Sequence, residues 1–315
     1  TFGERVYAYL KDHKNDYDIV HDNQCLAYGI GKLAQEVMPT IVTIHHPITV
    51  DRQEDYKAAK TLRQKFRVRR WYSFINMQLK VARKFSHIIT VSEFTKKDIA
   101  KEFSLDENKF RVVHNGIINE YFYPKQNGPR PENSLIVTNS ADTPLKGLNF
   151  LLEAVAEIRK KQPIKLTVIG QPKKDGIIEN LVAKLGVSDI VHFTGRIANE
   201  EFADYYAKST IAVVPSLYEG FGIPAAEAMA CGVPLISTSG GALPEVVGDA
   251  GIIVPPADSK ALADAITRLL NSPEERKKYA QAGLDRVSSV FSWKKAAREV
   301  AEVYREAIND HRRFS

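Results

Sequence analysis

The chain has 315 residues, with 44 Lys and Arg against 38 Asp and Glu for a formal net charge of +6. That length supports two domains, each with its own core. No run of about 18 apolar residues is present to span a bilayer, and the opening residues lack the apolar stretch of a signal peptide. Cys25 and Cys231 stand too far apart for a Cys-x-x-Cys motif and argue against a disulfide scaffold or a structural zinc site. A reducing, cytoplasmic setting is expected, with Cys231 as a buried packing residue.

In chain order, Thr1–His13 reads as a helix. Short apolar, β-rich runs then recur at Asp18–His21, Thr40–His45, His87–Val91, Phe110–His114, Ser134–Thr138, Lys165–Gly170, Ile190–Thr194, Ile211–Pro215, Val233–Ser237 and Gly251–Val254. Helical stretches lie between most of them, the pattern of an α/β chain with parallel sheets. Residues 123–133 contain Pro124, Gly128, Pro129 and Pro131, which break regular structure and mark a linker. The expected organisation is a first domain over 1–122, a second over 134–292, and a final helix over 293–315. Ser292 suits the N-cap of that helix, and Ala296, Ala297, Val300, Val303, Tyr304 and Ile308 give it one apolar side.

The positive charge is local. Tyr56 to Ser92 holds ten Lys or Arg and no acid, so the rest of the chain carries −4. Residues 61–85 read as one helix, with Leu62, Phe66, Trp71, Ile75, Leu79 and Ala82 near one face. A basic amphipathic segment over 57–84 is suited to an anionic membrane surface; an ordinary surface helix is the plainer alternative. No nucleic-acid-binding module is recognisable.

The most informative stretch is 216–248. A Gly-broken turn follows the run Ile211–Val214 and leads into a helix read as Pro224 to Cys231. Proline suits the start of a helix and Gly232 its left-handed end. Unpaired N–H groups and the positive dipole end make such a start a phosphate site, and Gly220 and Gly222 allow close approach. Glu227, about one turn inside, is placed to accept hydrogen bonds from vicinal hydroxyls, as an acid does on ribose in dinucleotide folds. Glu219 stands before the turn, toward a second hydroxylated group. A phosphate between two hydroxylated rings describes a nucleotide sugar. The bland alternative is a capped helix with two solvated glutamates.

The Glu-x7-Glu pattern of Glu219-Gly-Phe-Gly-Ile-Pro-Ala-Ala-Glu227 closely resembles the signature of retaining glycosyltransferases of family four, with the GT-B fold. Val91-Ser-Glu-Phe-Thr95, His114-Asn-Gly-Ile117, Lys146-Gly147, Thr194-Gly-Arg196 and Ser239-Gly-Gly-Ala-Leu-Pro-Glu245 resemble the same family, in its order, from about Tyr17 onward. The resemblance implies two Rossmann-like domains facing a cleft, with the last helix returning to the first domain. It also implies that two or three βα units are missing ahead of Thr1, leaving the first domain incomplete.

It further implies a chemistry. Transfer from a nucleotide sugar leaves charge on the departing diphosphate, which fixed positive groups must stabilise. Lys146 beside Gly147 is the candidate for that role, with a solvated lysine as the alternative. The family's usual arginine, five residues earlier, is here Ala141. Arg196, just past the run Ile190–Thr194, is a candidate for contact with base or phosphate, with a structural surface arginine as the alternative. Gly220, Phe221, Gly222 and Ile223 form the phosphate turn, with backbone N–H groups offered by Gly222 and Ile223; Glu219 orients the donor sugar and Glu227 the ribose. The family places a histidine at the position of His45 on the donor sugar, with a polar cap of the strand end as the plainer alternative. No metal is implied by the resemblance, and no cofactor is needed because the nucleotide sugar is a substrate. The expected activity is retaining transfer from a UDP-sugar, with GDP-mannose next, to a glycan or lipid-linked acceptor. A nucleotide-sugar-binding module without activity and a nucleotide-sugar epimerase are the alternatives.

Overall fold

A computed structural model describes residues 1–125, 128, 130–139 and 142–314. The chain divides into two units, Thr1–His114 with Lys294–Ser315, and Asn115–Trp293.

The first unit contains α1 (Phe2–Asp12), β1 (Val20–Asn23), α2 (Tyr28–Glu36), β2 (Thr40–Thr43), α3 (Thr49–Ala58), α4 (Leu62–Trp71), α5 (Ile75–Ala82), β3 (Ile88–Thr90), α6 (Glu93–Phe103) and β4 (Phe110–Val112). Its four strands form a parallel sheet in the order β1-β2-β3-β4. Every residue of β2 and β3 is buried, because helices on both faces of a parallel sheet turn a strand into a continuous apolar run. One face packs Val42, Ile44 and Ile88 against Ile30, Val81, Phe85, Ile99 and Phe103.

The second unit contains β5 (Ser134–Thr138), α7 (Leu148–Arg159), β6 (Lys165–Ile169), α8 (Ile177–Leu185), β7 (Val191–Phe193), α9 (Phe202–Ala207), β8 (Ile211–Val214), α10 (Ile223–Ala230), β9 (Leu235–Thr238), α11 (Leu243–Val247), β10 (Gly251–Val254), α12 (Ser259–Asn271) and α13 (Pro273–Val290). Its sheet runs β10-β9-β8-β5-β6-β7, with every strand pair parallel. Leu135, Val137, Leu166, Val168 and Ile211 meet Leu151, Leu152, Val155, Ile266 and Leu269 in its main core. The chain winds outward from β5 through β6 to β7, then returns to place β8 on the other side of β5. That reversal makes the carboxyl ends of β5 and β8 a topological switch point, where open α/β sheets bind ligands.

All ten strands fall within two residues of the runs read from sequence. The last helix, α14 (Trp293–Phe314), buries Ala296, Val303 and Ala307 against Ile41, Ile89 and Val113 of the first unit. The units divide after His114, earlier than the 122 expected from sequence. Ile117 donates its N–H to Phe291 O at 3.0 Å. The Phe122 ring lies 5.2 Å from that of Phe202 and 6.4 Å from that of Tyr206. These contacts tie 115–122 to the second unit.

The single helix expected over 61–85 is two. A 3-10 turn at Tyr72–Phe74 separates α4 from α5. Tyr72 is buried there and donates its hydroxyl to Asp55 Oδ2 at 2.8 Å. The expected apolar face breaks at that point: Ile75 and Ala82 are buried, while Leu62, Phe66 and Trp71 are exposed.

Candidate active site

The switch point is built from three loops. After β5 the chain passes through Asn139 to a 3-10 turn at Pro144–Lys146 and reverses at Gly147, whose φ is +64°. A Cβ on Gly147 would lie 2.0 Å from Pro215 O, so only glycine lets this turn lie against the loop after β8. Leu217 N–H donates to Leu145 O at 2.7 Å and closes the two loops together. The third loop, after β9, reaches the same place: a Cβ on Gly241 would meet Glu219 O at 2.2 Å. Ala242 N–H donates to that same oxygen at 2.9 Å.

This scaffold brings Lys146 and Glu219 together across 73 residues of sequence. Lys146 Nζ donates to Glu219 Oε1 at 2.7 Å, and Ser216 Oγ donates to the same oxygen at 2.8 Å. Glu219 is only 9 % exposed, so its geometry is fixed by packing as well as by these partners. Asn139 Nδ2 holds the Lys146 carbonyl at 2.9 Å. Asn139 Oδ1 and Ser237 Oγ are buried at this edge without a hydrogen-bond partner among the described residues.

Beside the pair, α10 begins at Ile223, with Gly222 as N-cap at φ +103° and Pro224 in its first turn. The N–H groups of Gly222 and Ile223 find no backbone acceptor among the described residues. They belong to the positive end of a helix. Gly232 ends the segment in the left-handed region at φ +62°, as its sequence position suggested. The Phe221 ring is taken up in packing. It is buried edge-on against Phe291, with centroids 5.4 Å apart, so Phe221 has only backbone to offer the turn.

Glu227 lies one turn into α10, partly buried. Burial pushes its carboxyl up to about 7. The buried Tyr206 phenol is also held well above its usual value, by burial first and by Glu227 second, and its hydroxyl lies 3.2 Å from Thr138 Oγ1. Cys231 is buried and its thiol is pushed up to about 12, chiefly by burial, which makes it an inert packing group. Arg196 is exposed after β7, the outermost strand, two strands from β5. Ala141 lies outside the described residues.

The first unit presents a different edge. His45 Nε2 pairs with Asn23 Oδ1 at 2.7 Å, and its backbone N–H donates to Gln24 Oε1 at 2.7 Å. His21 bridges Tyr304 OH at 2.8 Å and Thr43 Oγ1 at 2.7 Å. Both imidazoles sit below the usual value, by burial first; His46 adds to this for His45, and His45 for His21. Both are therefore neutral near pH 7. His46 pairs with Asp51 at 2.9 Å. No group of three His, Cys, Asp or Glu among the described residues is placed to hold a metal ion. No helix among them is long and apolar enough to cross a membrane.

Sequence reading missed three supporting residues. Ser216 and Asn139 carried one usable signal, a polar residue just past an apolar strand. Arg130 donates to the carbonyls of Tyr206 (2.6 Å), Ser209 (3.0 Å), Cys231 (3.2 Å) and Gly232 (3.0 Å), gathering the carboxyl ends of α9 and α10. Nothing local to Arg130 foretold that.

A lysine and a carboxylate thus meet at the switch point, with a helix start beside them and an acid one turn inside. The Glycosyl transferases group 1 profile matches residues 120–286, and that of Glycosyltransferase Family 4 matches 1–121. MMP alpha-(1->4)-mannosyltransferase of Mycolicibacterium hassiacum is 41 % identical over 98 % of this chain and 75 % of its own length. Sucrose-phosphate synthase from Thermosynechococcus elongatus superposes with a TM-score of 0.78 at 27 % identity, over 98 % of this chain and 78 % of that one. Anabaena HepE in complex with UDP superposes at 0.76, with 19 % identity, over 96 % and 82 %. The chain belongs to the group 1 glycosyl transferases, and its two α/β units have the GT-B fold class; it is a glycosyltransferase.

Proposed function

We propose that the chain is a retaining, metal-independent hexosyltransferase that moves a sugar from a nucleoside diphosphate donor to a glycan or lipid-linked acceptor. The observation that carries this reading is the Lys146–Glu219 pair, 2.7 Å apart at the switch point and next to the start of α10. Lys146 and the Gly222 and Ile223 N–H groups supply positive character where the departing diphosphate gathers charge. Glu219 accepts hydroxyls of the donor sugar, and Glu227 those of the ribose. His45, neutral, takes a hydroxyl of the sugar. In the step itself the bond from the anomeric carbon to the diphosphate oxygen breaks, the acceptor oxygen bonds on the same face, and the acceptor's proton passes to the departing phosphate. The protein's part is positioning and charge stabilisation.

The relative at 41 % identity is a mannosyltransferase. That supports a mannosyl donor, so GDP-mannose moves ahead of the UDP-sugars favoured by sequence alone. Thermal shift with UDP-, GDP- and ADP-sugars, beside a transfer assay, tests the reading. One donor should stabilise the wild type, and Glu227→Ala should lose most of that shift. A shift that survives Glu227→Ala refutes the site, and binding without transfer refutes the activity.

A further inference from the structure

The core of the first unit leaves α4 almost unused. None of its residues is buried, and Leu62 is 86 %, Phe66 67 % and Trp71 72 % exposed. Leu62 and Phe66, four residues apart, share one face. The helix carries Arg63, Lys65, Arg67, Arg69 and Arg70 and no acid. Arg63 with Arg67, and Lys65 with Arg69, stand where like charges on a helix repel.

The nearby acids are already engaged. Asp51 pairs with His46, Glu54 with Lys57 at 2.6 Å, and Asp55 with Tyr72. None of the four arginines has an ion-pair partner among the described residues. The helix is nonetheless held in place. Thr61 and Gln64 form a reciprocal capping box at its start, Lys65 lies 5.3 Å over the Tyr56 ring, and Tyr72 is anchored at its end.

We propose that α4 docks the chain on a bilayer surface that contains anionic phospholipid. Leu62 and Phe66 enter the boundary between headgroups and acyl chains, and the arginines reach back to headgroup phosphates. The anionic surface relieves the repulsion along the helix, and the apolar boundary takes the side chains that water now covers. A nucleic acid would satisfy the arginines and leave Leu62 without a partner.

The test is sedimentation of the full chain with vesicles of phosphatidylcholine alone, and with phosphatidylcholine and phosphatidylglycerol at about 70 to 30. The wild type is expected to partition about tenfold more onto the anionic vesicles, and less in high salt. Leu62→Ser with Phe66→Ser, both at exposed positions, should lose about tenfold of that binding with an unchanged melting curve. Arg63→Gln with Arg67→Gln, Arg69→Gln and Arg70→Gln should abolish the preference for anionic lipid. Donor-induced thermal shift should be unchanged in both variants, which separates this surface from the nucleotide site. Equal partition onto the two vesicles overturns the proposal. So does wild-type partition by the apolar variant, or binding to a uridylate oligomer with none to vesicles.

Discussion

The carboxyl edges of the two sheets are built from different chemistry. At the switch point of the second unit, Lys146, Glu219 and Ser216 form a charged, packed cluster beside a helix start. In the first unit His45 stands just past the end of β2 and His21 within β1, both driven toward the neutral form by burial and paired to an amide, a phenol and a hydroxyl. On the proposed reading, the charged edge meets a ligand whose charge grows during reaction, and the other meets neutral hydroxyls, where a fixed charge would cost desolvation for no gain. If that contrast is right, substitutions on the charged edge should cost far more than substitutions on the neutral one.

Lys146 should show the largest effect. Lys146→Ala removes the only side-chain cation paired at the switch point among the described residues, and transfer should fall about 10³-fold in kcat. A loss below about tenfold would assign diphosphate stabilisation to the helix start alone. Glu219→Gln sharpens the same point. Transfer should fall about 10²-fold because the sugar loses a charged acceptor. Yet the nucleoside diphosphate alone should bind a few-fold tighter, because Lys146 is freed from its 2.7 Å partner. Titration calorimetry with the free nucleotide, beside a transfer assay, reads both. Equal loss in both measurements would reduce Glu219 to a structural role.

How much of this was legible in the sequence follows the range of the forces. Strands such as Ile211–Val214 and Ser134–Thr138 are short apolar runs closed by turn residues, so each announces itself within a few positions. The turn into α10 was equally local, since Gly222, Pro224 and Gly232 each mark a backbone state. What sequence reading missed depends on partners far along the chain. The break at Tyr72 is set by its burial and its bond to Asp55, 17 residues away. Phe221 reads like part of a ligand turn, yet its ring is claimed by Phe291. Arg130 works through carbonyls 76 to 102 residues on.

His45→Ala is the test on the neutral edge. It removes one neutral hydrogen bond, and the expected loss is about tenfold in kcat/KM, with nucleotide affinity unchanged. A loss as large as that of Lys146→Ala would abolish the contrast between the edges.

The smallest effect concerns Glu227 and depends on pH. Its carboxyl titrates near 7 because burial penalises the charged form. The folded value lies above the ordinary one, so the stability contributed by the protonated group is fully present below about pH 4.5 and is lost as pH rises through about 7. On the proposed reading, hydroxyls of a bound ribose donate to the carboxylate and favour it, so nucleotide binding should lower this pKa and release a proton. Affinity should therefore rise about fourfold from pH 6.5 to pH 8, as the ionised fraction grows. Calorimetry in two buffers of different ionisation enthalpy should detect the released proton in the wild type and not in Glu227→Gln. The same variant should melt at higher temperature than the wild type at pH 8, since it carries no buried charge to desolvate. A nucleotide affinity that falls with pH over this range would mean that Glu227 binds as the neutral acid, as a donor.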